Sequence, residues 1–331
     1  MTTRPLGPIT GSEPLTEYVL TNTTTGEFAA IVPEFGAILR QLNLGRNSLR
    51  FKLIQAPESA QALLADERFC SALMFPFPSR IRHGIYAFEG QEYALPMNEP
   101  TRSNAIHGFV HPEPFTVVRR EATDAHALLS VQFDYGGGNI GYPFPLSLQV
   151  TYVLMPDGDG GSQLQFIYTA TNTGTTRCPV AFGWHPYFTI NDEPIDEQLL
   201  RLQVQQVVRL TDDMLPGGAE PVDYPDPVPL KDRQFDSPFV VGDGQATQPG
   251  AVETVLYSPK QQVRLVVGQQ TGAGGLNYLV VFTPPRRDSV AIEPMSANVN
   301  AFNTGEGLAV LSPGEALSGR IWVRLESDVR F

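Results

Sequence analysis

The chain has 331 residues, of which 42% are hydrophobic, so it is long enough to bury a large core. Acidic side chains outnumber basic ones by 35 to 23, and no segment concentrates Lys or Arg, which argues against nucleic acid as a partner. The sequence shows no signal-peptide core and no run of 18 apolar residues, so we expect no membrane partner and a cytoplasmic protein. Cys70 and Cys178 are too few for a disulfide scaffold and are expected to be buried thiols.

Alternation of apolar and polar residues is the dominant pattern and predicts half-buried β-strands. Runs of this kind occupy residues 17–32, 85–95, 126–135, 145–154, 161–172, 198–210, 261–270, 276–284 and 319–326. In the clearest pair, 146–154 and 164–170 alternate on either side of the turn sequence MPDGDGG, which predicts a β-hairpin. Many short strands without long helices between them predict packed antiparallel sheets, an all-β sandwich formed as one domain over residues 1–331.

Two segments depart from this pattern. Residues 57–74 are rich in Ala, Leu and Glu, which predicts a helix that crosses one end of the sheets. The Pro- and Asp-rich stretch from Leu215 to Pro238 has strand-like runs on both sides, so we interpret it as a long surface loop.

Simple sequence patterns for metal binding and covalent catalysis are missing. His107 and His111 have the spacing of a helical metal pair, but Gly108 and Pro112 follow them and disfavour a helix. There is no G-x-S-x-G motif, and neither cysteine lies in a nucleophile context. We therefore expect no metal, and the chemistry to depend on acid and base side chains.

Four separated segments resemble the aldose 1-epimerase family, the galactose mutarotases. SRIRHGIYAFEGQEYALPMNEPTRSNAIHGF at residues 79–109 is similar to the family's N-R-I-x-x-G-x-Y/F segment followed by N-x-L-H-G. HPYF at 185–188 resembles its second histidine motif, and FDSPF at 235–239 its sugar-contacting Asp segment. AIEPMSANVNAFN at 291–303, followed by VLSPGE, resembles its catalytic glutamate and closing strand. The segments follow the family's order across most of the chain, which makes the resemblance specific.

The resemblance implies the large antiparallel β-sandwich of the galactose mutarotase type, a supersandwich with one or two short helices. It also implies an isomerase that interconverts the α and β anomers of a free aldose without a cofactor. The expected partner is a small-molecule sugar, and we expect a monomer or a homodimer.

Opening a hemiacetal ring requires a base for the proton of the C1 hydroxyl and an acid for the ring oxygen. Carried over from the family's motifs, Glu293 would be the base, and His185 would be the acid, since imidazole titrates near neutral pH. By the same resemblance, His107 would hydrogen-bond the sugar near C1 and the ring oxygen. The three residues form the predicted catalytic set.

Further residues are candidates for holding the sugar. Arg80 and Asp236 would orient hydroxyl groups, as a multiple donor and a double acceptor. Trp184 is a candidate aromatic ring for packing against the C–H face of the sugar. Ser79 stands where the family often has Asn, and GWHPYF differs from the commoner N-H-x-Y-F-N, so the motifs leave the identity of the sugar open.

Two alternatives to a free-aldose epimerase stay open. A hexose-6-phosphate 1-epimerase would require cations that converge on the phosphate, for which the available residues are Arg82, Arg102, Arg286 and Arg287. A sugar-binding protein without turnover would keep the pocket, but it would not need a matched acid and base.

Overall fold

The computed structural model describes residues 1–7, 14–46, 49–242 and 250–327. The first strands in chain order are β1 (Thr2–Pro5), β2 (Thr16–Thr21), β3 (Phe28–Val32), β4 (Ile38–Arg46), β5 (Leu49–Lys52), β6 (Ala72–Met74), β7 (Arg80–Arg82), β8 (Ile85–Phe88), β9 (Gln91–Ala94), β10 (Asn104–Ile106), β11 (Thr116–Ala122), β12 (Ala127–Tyr135), β13 (Leu146–Pro156) and β14 (Ser162–Asn172). They are followed by β15 (Cys178–Val180), β16 (Gly183–His185), β17 (Tyr187–Phe188), β18 (Leu199–Arg201), β19 (Gln206–Leu210), β20 (Pro216–Pro221), β21 (Val228–Pro229), β22 (Asp236–Val240), β23 (Gly250–Ser258), β24 (Val263–Thr271), β25 (Tyr278–Phe282), β26 (Val290–Met295), β27 (Ala309–Leu311) and β28 (Ala316–Ser327). The described helical segments are α1 (Ala60–Leu64), α2 (Ala301–Thr304) and a 3-10 turn at Ile195–Glu197.

Three large sheets contain most of these strands, and the strands pair in antiparallel fashion. The first sheet has the order β1-β2-β3-β4-β5, and the second, of nine strands, has the order β11-β12-β13-β14-β28-β24-β23-β18-β21. The third, of eight strands, has the order β20-β19-β22-β25-β26-β16-β6, with β17 also paired to β26. This confirms the all-β antiparallel fold with short helices.

The hairpin of β13 and β14 shows how the sequence pattern forms the core. The two strands pair from Leu146 opposite Asn172 to Pro156 opposite Ser162. Along β13 the residues from Leu146 to Leu154 alternate between buried and more exposed, as the sequence predicts. Each fully buried Leu or Val contributes about 1.5–3 kcal/mol relative to an exposed position.

The nine-stranded and eight-stranded sheets pack face to face through aromatic side chains. Trp184 of β16 stacks on Phe166 of β14 with ring centroids 5.3 Å apart and planes 17° apart. Phe182, next to β16, stacks on Tyr168 with centroids 3.8 Å apart. These contacts form the centre of the sandwich and fix the inner face of the strand that carries His185. The two cysteines are buried free thiols, as expected.

The helix predicted over 57–74 is wrong except for α1. Ser59 caps α1, since its Oγ accepts a hydrogen bond from the N–H of Ala62 at 3.2 Å. The backbone beyond α1 cannot stay helical because Phe69 and Ser71 have φ of 58° and 56°. Residues 72–74 instead form β6, which pairs with β16, because a place in the sheet outweighs local helix propensity.

The stretch from Leu215 to Pro238 is not a plain surface loop. It contains β20 and β21 and the start of β22. β20 is an edge strand of the eight-stranded sheet, where prolines are tolerated because one side of an edge strand needs no ladder hydrogen bonds. None of the described helices is long and apolar enough to cross a membrane.

Candidate functional site

A cleft of about 300 Å³ opens on the eight-stranded sheet. Its walls come from the loop between α1 and β6, from β7 and β10, and from the turn after β25. Its lining mixes apolar side chains with a few convergent polar groups, as small-molecule sites usually do. The lining residues are Glu67, Arg68, Phe69, Ser79, Arg80, Ile106, His107, His185, Tyr187, Leu210, Asp236, Pro238, Val280, Phe282, Pro284, Pro285, Glu293 and Val299.

Two neighbouring rows of cross-strand residues form the floor of the cleft. Gly183 pairs with Met295 and Tyr187 with Ala291, so His185 lies directly opposite Glu293. Residues directly opposite each other share one face of a sheet, and residues two apart on a strand share it too. The first row contains Pro238, Val280, Glu293 and His185, and the second contains Asp236, Phe282, Ala291 and Tyr187.

The His185 and Glu293 side chains are therefore in contact inside the cleft. Nε2 of His185 lies 3.3 Å from Oε1 of Glu293, and the two side chains are 8% and 3% exposed. Gly183 allows this strand to approach its neighbours, since a Cβ there would lie 2.6 Å from the Met74 side chain and 2.8 Å from that of Pro78. The position of the pair is thus set by the backbone of the sheet.

Burial shifts the pKa values of this pair in opposite directions. The pKa of Glu293 is raised well above its usual value by burial and by the negative charge of Asp236, while Arg80 opposes the shift. Burial lowers the pKa of His185 to about 4. Both shifts disfavour charge in the unliganded cleft. Because the groups are in contact, they titrate as a coupled pair.

His107 stands on a tight turn beside this pair. Its ring centroid lies 5.1 Å from that of His185, with the ring planes nearly perpendicular. Its backbone N–H donates to the carbonyl of Ser79 at 2.9 Å. Gly108 follows because a Cβ there would lie 1.9 Å from the carbonyl oxygen of Phe75. The pKa of His107 is lowered well below its usual value by burial and by neighbouring His185 and Arg80.

Arg80 and Asp236 reach the cleft from different strands. Arg80 extends from β7, which pairs with β10 next to His107, and its guanidinium group contacts the Glu99 carboxylate. Asp236 begins β22, and its pKa is raised by burial, an effect that Arg80 and Arg102 oppose. The structure thus brings five of the six predicted site residues to one cleft.

Trp184 is the exception, and we correct its predicted role. Side chains on a strand alternate between faces, so the neighbour of His185 points away from the cleft. Trp184 is fully buried in the sandwich core, against Phe166 and Phe188. It does not line the cleft and is left out of the sugar-binding set.

The sequence does not identify Glu67–Phe69 as part of the cleft, because the composition of this segment predicts a helix. It is held in place by Asp66, which contacts Nε of Arg68 at 2.9 Å and accepts from the N–H of Cys70 at 3.0 Å. The Tyr187 hydroxyl donates to the carbonyl of Arg68 at 3.2 Å. Phe69 thereby presents a half-buried ring to the cleft, 4.9 Å from that of His107.

The described part of the chain contains no group of three or more His, Cys, Asp and Glu that could hold a metal ion. Phe69 also contacts His111, with ring centroids 5.9 Å apart. The Phe69 ring therefore lies against both His107 and His111, the two histidines with the spacing of a helical metal pair.

The fold agrees with the comparisons to known proteins. Residues 18–324 match the family profile described as Aldose 1-epimerase, and the chain belongs to this family. Its sequence is 29% identical over 253 residues to the uncharacterized protein YihR of Escherichia coli K12, a match that covers 73% of this chain and 75% of YihR.

Solved structures of similar proteins share the fold. A galactose mutarotase-like protein from Clostridium acetobutylicum superposes with a TM-score of 0.82 at 19% identity, covering 99% of both chains. Galactose 1-epimerase from Lactobacillus acidophilus superposes with a TM-score of 0.78 at 18% identity, covering 98% of both chains. The fold is therefore that of the galactose mutarotases.

Proposed function

We propose that this protein is an aldose 1-epimerase that interconverts the α and β anomers of an uncharged aldose. The observation that carries the proposal is the contact between His185 and Glu293 on the floor of a cleft. Ring opening requires an acid and a base that lie close enough together to reach O5 and the C1 hydroxyl of one sugar, whereas binding alone has no need of such a pair.

In the proposed reaction, Glu293 removes the proton of the C1 hydroxyl while His185 donates a proton to the ring oxygen. The C1–O5 bond breaks, its electron pair goes to O5, and C1 becomes the aldehyde carbon. Rotation about the C1–C2 bond presents the other carbonyl face. During closure O5 attacks C1, His185 takes the proton back from the O5 hydroxyl, and Glu293 returns its proton to O1. Burial raises the pKa of Glu293 and lowers that of His185, so the bound sugar has to stabilise the charged forms of both. Its hydroxyl groups hydrogen-bond the Glu293 carboxylate, and a proton passes from Glu293 to His185 across their contact.

The remaining cleft residues hold the sugar. Arg80 and His107 donate hydrogen bonds to sugar oxygens, and Asp236 accepts them from hydroxyl groups. The half-buried ring of Phe69 takes the place predicted for Trp184 and packs against the C–H face of the sugar.

The charges around the cleft favour an uncharged sugar over a 6-phosphate. The two arginines that line it are each paired with a carboxylate: Arg80 with Glu99 at 2.9 Å and Arg68 with Asp66 at 2.9 Å. Arg82, Arg102, Arg286 and Arg287 do not line the cleft, and Arg287 instead binds Asp196. A phosphate carries about −1.5 to −2 charges and would meet no uncompensated cluster of cations.

Polarimetry of freshly dissolved sugars tests the proposal. Purified protein should accelerate the mutarotation of α-D-glucose or α-D-galactose, with a higher kcat/KM than for the corresponding 6-phosphates by NMR exchange. A tenfold preference for a 6-phosphate would support the phosphate epimerase instead. Saturable sugar binding without acceleration of any aldose would support a non-catalytic binding protein.

A further inference from the structure

Arg80 is held by one carboxylate through nearly ideal geometry. Nε of Arg80 lies 3.1 Å from Oε1 and 2.9 Å from Oε2 of Glu99, and Nη2 lies 2.9 Å from Oε1. The side chains are 12% and 11% exposed, so water screens the pair little. Such bidentate contacts fix both the charge and the orientation of an arginine.

Two further donors hold Glu99 in its ionised form. Arg102 Nη1 donates to Oε1 and Asn104 Nδ2 donates to Oε2, each at 3.1 Å. The hydrogen bonds from Arg80 lead the effects that lower the pKa of Glu99 against the opposing effect of burial. The backbone of the loop is closed independently, since the N–H of Glu99 donates to the carbonyl of Asn104 at 3.1 Å. The Glu99 charge is therefore present at neutral pH.

The position of Arg80 gives this pair a role in the cleft. Arg80 lines the cleft, and its charge acts on His107, His185, Asp236 and Glu293, shifting the pKa of each. Glu99 does not line the cleft but compensates this charge from behind. The arginine can thus donate hydrogen bonds to a hydroxyl group without making the cleft attractive to an anion.

We propose that Glu99 is a positioning residue that makes the cleft selective for uncharged sugars, by pairing with the guanidinium group of Arg80. The inference rests on the proposed function for the nature of the ligand, a sugar. Neutralising Glu99 leaves Arg80 in the cleft without its compensating carboxylate, and its guanidinium group becomes a partner for a phosphate, which binds arginine well.

The test compares the dissociation constants of D-glucose and D-glucose 6-phosphate by ligand-observed NMR in wild-type protein and in Glu99→Gln. The matched control is Glu253→Gln. Glu253 is bound by both Nη atoms of Arg324 at 2.6 and 3.0 Å but does not line the cleft, so the control removes the same charge from a similar pair elsewhere.

In Glu99→Gln the ratio of the two constants should move at least about tenfold toward the phosphate at low salt, and the shift should shrink at 0.3 M NaCl. Glu253→Gln should change the ratio less than twofold. A shift in Glu99→Gln that does not exceed the control's overturns the proposal, since a purely structural role would weaken both ligands alike.

A second variant tests the proposal if Glu99→Gln does not fold. Arg102→Gln removes a surface cation, 41% exposed, and leaves Arg80 as the cation paired with Glu99. The ratio should then move about two- to fivefold away from the phosphate, and no movement overturns the proposal. Polarimetry of the wild-type protein separates the two proposals. An inactive protein whose variants shift as expected refutes the epimerase, whereas an active protein whose ratio does not move refutes the role of Glu99.

Discussion

Replacing Glu293 with Gln should abolish most of the activity while making the protein more stable. The amide has the size of the carboxyl group and keeps a polar atom near Nε2 of His185, now 3.3 Å from Oε1. It cannot accept the proton of the C1 hydroxyl. A positioned base contributes about 10²- to 10⁴-fold, so we expect kcat to fall by at least about 10²-fold.

The gain in stability follows from the buried carboxyl group. The pKa of Glu293 is higher in the folded protein than its usual value of 4.5, so the folded state binds more protons than the unfolded state above that pH. The wild-type free energy of unfolding therefore loses up to about 1.4 kcal/mol per pH unit as the pH rises from 4.5 toward the folded pKa. Gln does not titrate, so the variant is spared this loss.

Two measurements check the prediction. Polarimetry of freshly dissolved α-D-glucose gives kcat, and urea unfolding at pH 5 and pH 7 gives the free energy of unfolding. The advantage of Glu293→Gln over wild type should be larger at pH 7 than at pH 5. Turnover within threefold of wild type would refute the assignment of the base, and lost activity with lost stability would point to a structural role instead.

The other predictions concern three aromatic side chains near the cleft. Phe69→Leu should raise KM for glucose about three- to tenfold and leave kcat within twofold of wild type. Phe69→Tyr keeps the ring, so its KM should stay near the wild-type value. Equal KM values in the two variants would exclude the stacking contact. Trp184→Leu should lower the free energy of unfolding by about 2–3 kcal/mol, which is less than truncation to Ala would cost. The variant should leave KM unchanged. A raised KM in folded protein would return Trp184 to the sugar-binding set. Burial lowers the pKa of His111 from 6.5 to about 4, so the folded protein loses stability as the pH falls through this window. His111→Leu should reduce the loss between pH 7 and pH 5 by about 2 kcal/mol in urea unfolding, and an unchanged loss would contradict the shift.

The strands and the two residues Glu293 and His185 could be predicted because they depend on local pattern and on motifs. Alternation along β13 and β14 shows which side chains are buried, and the resemblance identified Glu293 and His185. That the two lie opposite each other depends on the pairing of β16 and β17 with β26. Sequence reasoning did not specify this register.

The errors have a common physical cause. Residues 57–74 have helical composition, but pairing of β6 with β16 and the positive φ of Phe69 and Ser71 override it. Trp184 is a candidate by its aromatic ring, but it precedes His185 on the same strand, and neighbours on a strand face opposite sides. Glu99 matches none of the motif residues, and its contact with Arg80 is apparent only in the structure.

Some of the residues at the cleft lie on strands and others lie on the connections between strands, and these two parts of the molecule can change independently. His185 and Glu293 are held opposite each other by a ladder of main-chain hydrogen bonds, in which a one-residue shift of either strand would turn its side chain away from the cleft. Phe69 and Glu99 instead lie on connections between strands, where substitutions and insertions are tolerated. We therefore expect engineered variants to change the bound sugar through these connections while the contact between His185 and Glu293 stays in place. Libraries aimed at new substrates are best confined to residues 66–69 and 99–103.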